Sequence, residues 1–281
     1  MYKSLRNNIK LARLLPLLLA FASSSLFAGN NISYAPTDAG QLPKAVLGTA
    51  PAPQGESLAY FADNPKAVGY LARPADGTPK GSVILIHEWN GLGERVKQVA
   101  DAFAAEGYLA LAADLYSGRT GSNRDENMKL VRETLANPDM LIKNLDSAAN
   151  YLKSQNNTTG KVATIGWCYG GGVALSYALG SENHEATAIF YGRLLDDPEK
   201  MQHIHHEIYG TFAETDTGIP VAQVNAFVTA LRKADIANDV HIYDDVKHGF
   251  WLHVDRDPDT NLKPALNAWQ RLKAYLARTI D

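Results

Sequence analysis

Residues 161–180 read KVATIGWCYGGGVALSYALG, and the way the chain turns at the centre of this stretch decides the fold it builds. The first part, KVATIGW, is a short apolar run that suits a buried strand, and VALSYALG suits a helix. Between them, Gly166-Trp167-Cys168-Tyr169-Gly170 fits the pattern glycine, any residue, nucleophile, any residue, glycine, with cysteine where serine is more usual. A strand that feeds a helix through so sharp a turn strains its backbone, and side chains two residues to either side would collide. Such a turn lifts the sulfur out at the top of a sheet. It also aims the first N–H groups of the helix at the sulfur, which favours a thiolate and a developing oxyanion. The competing reading is a small core cysteine on a glycine-rich packing turn.

Working outward, apolar runs alternate with helical periodicity. SVILIHE (82–88) reads as a strand buried on both faces, and ERVKQVADAFAAEG (94–107) as a helix with Val96, Val99, Ala100 and Phe103 on one side. YLALAADLY (108–116) is a second strand, followed by a polar segment and helical stretches near 126–136 and 139–154. After the quoted turn come strands in ATAIFYG, EIYGTFAE and DVHIYDDV, a helix in VAQVNAFVTALRKAD, and a closing helix in ALNAWQRLKAYLART (265–279). Ahead of all this, two short runs around Asn64-Pro65 predict a β-hairpin. The alternation predicts one α/β domain over 57–281, a mostly parallel sheet with helices on both faces. In such sheets chemistry gathers just beyond the C-terminal ends of strands.

The chain has 281 residues, 20% of them charged, with a net charge of −3. That balance gives no reason to expect a nucleic acid or a membrane surface as partner. Residues 1–28 differ from the rest: Lys3, Arg6, Lys10 and Arg13 without any acid, then an apolar run from Leu14 to Ala22, then small residues to Ala28. This is the layout of a signal peptide, with cleavage expected after Ala28 and a periplasmic or secreted destination. The apolar run is about half of the ~20 residues a span needs, so no stable membrane anchor is expected once it is cleaved. Residues 29–56, rich in Pro, Gly, Ala and Asn, read as an extended leader. Cys168 is the chain's single cysteine, so no intramolecular disulfide can form, and an exposed thiol would risk oxidation in an oxidising compartment.

A nucleophile needs a base, and in this kind of sheet the partners follow in the order nucleophile, acid, histidine. Of eight histidines, His248 in YDDVKHGF lies directly after the last strand. His241 sits inside that strand, His253 comes later without a motif, and His87 ends the first buried strand. After the fifth strand FAETDTGIP offers Glu214 and Asp216, and Asp216 is preferred because it lies deeper in the loop. The Trp89 N–H, in the loop after the first strand, would complete an oxyanion hole with that of Tyr169. Glu88 beside it either faces water or acts on the thiol by repulsion and hydrogen bonding. His203, His205 and His206 suggest a metal, but no carboxylate or cysteine ligand stands at a recognised spacing, and a helix end leading into a strand is preferred.

With Glu88, Cys168, Asp216 and His248 in place, residues 57–278 resemble the dienelactone hydrolase family of the α/β-hydrolase superfamily. The resemblance rests on HEWNGLGERVKQVADAFAAEGYLALAADLY, GKVATIGWCYGGGVAL, AIFYG, GTFAETDTGIP and YDDVKHGF. It implies a Cys168–His248–Asp216 triad, no cofactor, no metal, and hydrolysis of a lactone or small ester through an acyl-thioester. It also implies that Glu88 keeps the resting thiol protonated and takes its proton as substrate enters. A family arginine four residues after the histidine is here Leu252, and a second has only Arg119 or Arg124 as loose counterparts. These departures leave open a neutral or cell-envelope ester as substrate, and beyond that a non-catalytic binding protein on the same scaffold. A monomer is expected, with a small-molecule substrate as its partner.

Overall fold

The computed structural model describes residues 41–75 and 80–281. The stretch read as a signal peptide and its expected cleavage point therefore lie outside the described residues. The hairpin expected around Asn64-Pro65 is formed by β1 (Glu56–Ala59) and β2 (Val68–Ala72), paired antiparallel with Glu56 opposite Leu71. Six further strands follow: β3 (Ser82–Ile86), β4 (Leu109–Ala113), β5 (Val162–Trp167), β6 (Ala186–Phe190), β7 (Ile208–Ala213) and β8 (Asn238–Tyr243). They form one sheet in the order β1-β2-β4-β3-β5-β6-β7-β8, parallel from β4 through β3 to β8. Its direction of winding reverses at β3, which has β4 on one side and β5 on the other, with Ile86 in register with Gly166. The loops after β3 and β5 thus diverge at the sheet's centre, where a parallel α/β sheet opens its binding crevice.

The helices are α1 (Lys44–Leu47), α2 (Glu94–Ala105), α3 (Arg124–Leu135), α4 (Pro138–Lys153), α5 (Tyr169–Gly180), α6 (Pro198–Met201), α7 (Val221–Lys233) and α8 (Pro258–Thr279). Alternate residues of β3 serve opposite faces. Val83 and Leu85 pack with Phe103 of α2 and Trp269 and Leu272 of α8, while Ile84 and Ile86 pack with Leu145 of α4 and Val173 of α5. Burying each such aliphatic side chain contributes about 1.5–3 kcal/mol, which is why the central strands read as continuous apolar runs.

Two elements depart from the sequence expectation. The closing helix begins at Pro258 rather than Ala265, because Pro258 at its first turn fits a helix start and Pro264 costs one internal N–H bond. Within the stretch read as an extended leader, Lys44–Leu47 form one helical turn, ended by Gly48 at φ 75°. Leu42 and Val46 are buried in the main core. Arg95 of α2 fastens this turn in place: its Nη1 donates to the carbonyls of Val46 and Leu252, and its Nη2 pairs with Asp255 at 2.9 Å.

Candidate active site

Cys168 ends the strand-to-helix turn at φ 57° and ψ −118°, a conformation that costs a non-glycine residue free energy and clusters at functional sites. Its backbone N–H donates to Phe190 and its carbonyl accepts from Gly171 and Gly172, so the strained turn is fixed from both sides. The glycines are required by distance. A Cβ on Gly166 would lie 2.0 Å from the Gly170 carbonyl oxygen, and one on Gly170 would lie 2.2 Å from that of Ile86. Both contacts are with backbone, which cannot swing away. We expect Gly170→Ala to cost on the order of 3 kcal/mol, read as a drop in the thermal midpoint, whereas Gly160→Ala, strained but facing open space, should cost less.

His248 follows β8, and its Nδ1 lies 2.6 Å from Asp216 Oδ2. Asp216 is buried, and its other oxygen accepts from the N–H groups of Gly218 and Ile219. Burial would raise the Asp216 pKa, but the His248 bond and these two N–H groups outweigh it and hold the carboxyl below its ordinary value. Burial likewise opposes charge on His248, yet the Asp216 bond and the hydrogen bond to the Cys168 sulfur push it up to about 10. With Nδ1 on Asp216, Nε2 is the nitrogen left for the sulfur. Glu214 is exposed and accepts from the Asp245 N–H, so of the two acids it is Asp216 that meets the histidine.

Tyr169 opens α5 and Trp89 lies in the loop after β3; neither N–H donates to another group among the described residues. Beneath that loop His87 is wholly buried. The Leu115 N–H can only donate and the Glu88 carbonyl can only accept, so Nε2 of His87 is the acceptor and Nδ1 the donor. Burial holds the His87 pKa below the ordinary range. His87 is therefore a neutral buttress under the loop after β3.

The carboxylate of Glu88 does not face water. Its Oε2 lies 2.7 Å from His253 Nε2, and each side chain is only 14% exposed. Tyr191, just past β6 at φ 40°, packs its ring 4.9 Å from that of His248 and accepts the Leu252 N–H on its hydroxyl. Burial first, then the charge of Glu88 and with it that of Cys168, raises the Tyr191 pKa well above the ordinary value. Sequence reasoning set His253 aside and passed over Tyr191; a histidine five residues beyond His248 and the FYG after β6 were the available signals.

The arginines fall differently from expectation. Arg119 is committed to Glu133 at 2.7 Å and to the Tyr116 carbonyl, although its loop lies against Gly91. Arg124 starts α3, exposed on the surface. Leu252 is fully buried. Instead Arg256 approaches: its Nη1 would lie 3.5 Å from a Cβ on Gly249, next to His248, and it has no ion-pair partner among the described residues. His184, His205 and His206 make local contacts away from this site. His184 and His206 share the Thr187 hydroxyl ahead of β6 and β7, His205 pairs with Glu182, and no three metal-ligating groups converge among the described residues.

Comparison with known proteins bears on the family and the fold. A family model described as "Dienelactone hydrolase family" matches residues 68–280. A protein of Methylorubrum extorquens named "Putative carboxymethylenebutenolidase" is 29% identical over 219 residues, covering 73% of this chain and 75% of its own. One of the same name from Saccharolobus solfataricus is 29% identical over 260 residues, covering 79% of this chain and 98% of its own. Among solved structures, the dienelactone hydrolase-like promiscuous phosphotriesterase P91 from metagenomic libraries superposes with a TM-score of 0.70 at 18% identity. That match covers 82% of this chain and all of P91, and it bears on the fold alone. From the strained cysteine turn at the switch point to the match that runs from β2 almost to the last residue, the chain belongs to the dienelactone hydrolase family, α/β-hydrolases that act on esters.

Proposed function

We propose that the chain is an exported, cofactor-independent hydrolase of a lactone or small carboxylic ester, working through Cys168, His248 and Asp216. The observation that carries this reading is the chain of contacts from Asp216 to His248 at 2.6 Å and on to the sulfur at the N-terminus of α5. His248 Nε2 takes the thiol proton as sulfur bonds to the substrate carbonyl carbon. The Tyr169 and Trp89 N–H groups receive the developing oxyanion. The carbon–oxygen bond to the leaving group then breaks, and His248 returns its proton to the departing alkoxide, which in a lactone stays tethered to the acyl group. Water, deprotonated by His248, cleaves the thioester and releases the acid. Glu88 accepts a hydrogen bond from the resting S–H, holding the thiol protonated until substrate arrives and His248 takes the proton. Export is inferred from the basic, apolar and small-residue order of residues 1–28.

Arg256 supports a substrate that carries a carboxylate, since an uncommitted guanidinium beside the catalytic loop suits bidentate recognition. The buried Leu252 favours the second reading, a neutral ester. One experiment tests both: a panel of carboxylate-bearing and neutral esters and lactones, each quenched in acid for intact-mass and peptide mapping. The expected result is an acyl group on Cys168, with anionic substrates preferred and that preference lost in Arg256→Ala. Turnover with the acyl group on any other residue would overturn the mechanism. An equal rate on neutral esters would overturn the anionic preference.

A further inference from the structure

The hydrogen bond between Glu88 and His253 makes a second carboxylate–imidazole pair, in addition to Asp216–His248, on the loop that follows the strand touching the cysteine turn. Glu88 follows β3, whose end touches the cysteine turn where Gly170 meets the carbonyls of Ile86 and His87. His253 belongs to the segment between His248 and the single 3-10 turn Val254–Arg256. These two segments meet only in the folded chain, 165 residues apart in sequence. Tyr191 ties the two pairs together: its ring packs 4.9 Å from that of His248 and its hydroxyl accepts the N–H of Leu252, the residue before His253.

That arrangement has an electrostatic cost. A nucleophilic sulfur must carry negative charge, and a bare carboxylate alongside opposes it. Like charges close together in a partly buried site disfavour one another. We propose that His253 is a positioning residue that offsets this cost. Protonated on Nε2, it holds Glu88 in an ion pair of zero net charge, so the sulfur can ionise beside it.

The groups around His253 are consistent with this assignment. Asp255 in its own turn is already paired with Arg95 from α2 at 2.9 Å, and Arg256 is a cation directed toward Gly249. From the other elements, Glu88 arrives after β3, and Tyr191, just past β6, accepts the N–H of the neighbouring Leu252. Of the two carboxylates near His253, only Glu88 has no arginine partner. Its Oε2 is used by His253.

The test reads the sulfur directly, so it rests on the proposed function only through the site the two share. The rate of iodoacetamide alkylation of Cys168 is followed from pH 5 to 9 in the wild type, His253→Gln, Glu88→Gln and the double variant. Glutamine keeps a hydrogen-bond donor for Glu88 but carries no charge. His253→Gln is expected to alkylate about tenfold more slowly at pH 7, with its profile displaced to higher pH by about one unit. In the double variant, where the uncompensated carboxylate is also gone, the profile should return to that of the wild type. A His253→Gln profile that overlays the wild type would overturn the proposal. So would an equal slowing by His253→Gln when Glu88 is already glutamine, since the effect would then not pass through Glu88. Because Glu88→Gln alone must alkylate at least as fast as the wild type, a slower Glu88→Gln protein counts against the proposal even if His253→Gln fails to fold. If alkylation behaves as expected while no ester is turned over, the proposed function fails and this inference stands.

Discussion

Cys168→Ala is expected to lower kcat/KM on any ester the wild type cleaves by at least about 10³-fold, with the fold intact. In the proposed mechanism the side chain lost is the group that forms the covalent bond. Residual hydrolysis over water would come from the Tyr169 and Trp89 N–H groups and from binding alone. Because cysteine to alanine removes one sulfur and leaves the glycines that permit the turn, the thermal midpoint should barely move. Steady-state kinetics at pH 7–8 on the best ester of the panel, with circular dichroism for the fold, decides the matter. A variant within tenfold of the wild type would show that the sulfur is not the nucleophile.

The second large effect is expected from Asp216→Asn, on the order of 10³–10⁴ in kcat, with little change in KM. Asparagine keeps the size but presents either an N–H₂ to His248 or a weaker acceptor, so the imidazole loses both its tautomer and its charge support. The same variant has a signature in stability. His248 has a folded-state pKa raised from 6.5 to about 10, so its contribution is fully present below about 6.5 and is lost as pH rises towards 10. Asp216 has its pKa lowered from 3.8, so its contribution is present above about 3.8 and is lost in acid. The difference in thermal midpoint between wild type and Asp216→Asn should therefore be widest between about pH 4 and 6.5 and close towards pH 10. A gap that widens towards alkaline pH would mean that the pair does not bind as described.

Most of the fold was legible because local and global signals agree. Apolar runs at β3, β4 and β5 mark strands covered on both faces, and the glycines around Cys168 mark a turn whose crowding is visible in the distances. His248 and Asp216 could be read because each directly follows a strand, and strand ends in a parallel sheet converge at one edge. What could not be read came from chain crossings that no local pattern encodes. Glu88 and His253 are 165 residues apart, and neither neighbourhood names the other. Arg119 looked available until α3 brought Glu133 to it, and Arg256, which the sequence reading did not single out, comes to Gly249 as the turn after His253 folds back. The one-turn helix at 44–47 was obscured by the proline and glycine around it. It is held by tertiary burial and by Arg95 rather than by its own propensity.

That Arg95 clamp has a practical consequence for where the folding unit starts. The family match begins at residue 68, but the carbonyl of Val46 and the buried side chains of Leu42 and Val46 lie well ahead of it. The guanidinium that holds them also holds Leu252 and Asp255, on either side of His253. A chain trimmed to the matched residues would lose part of the guanidinium's hydrogen bonding and expose apolar core. The slack would appear at His253, far along the sequence from the cut. The smallest autonomous piece of this enzyme is therefore longer than its homology suggests, and the segment ahead of the sheet is part of the active-site scaffold.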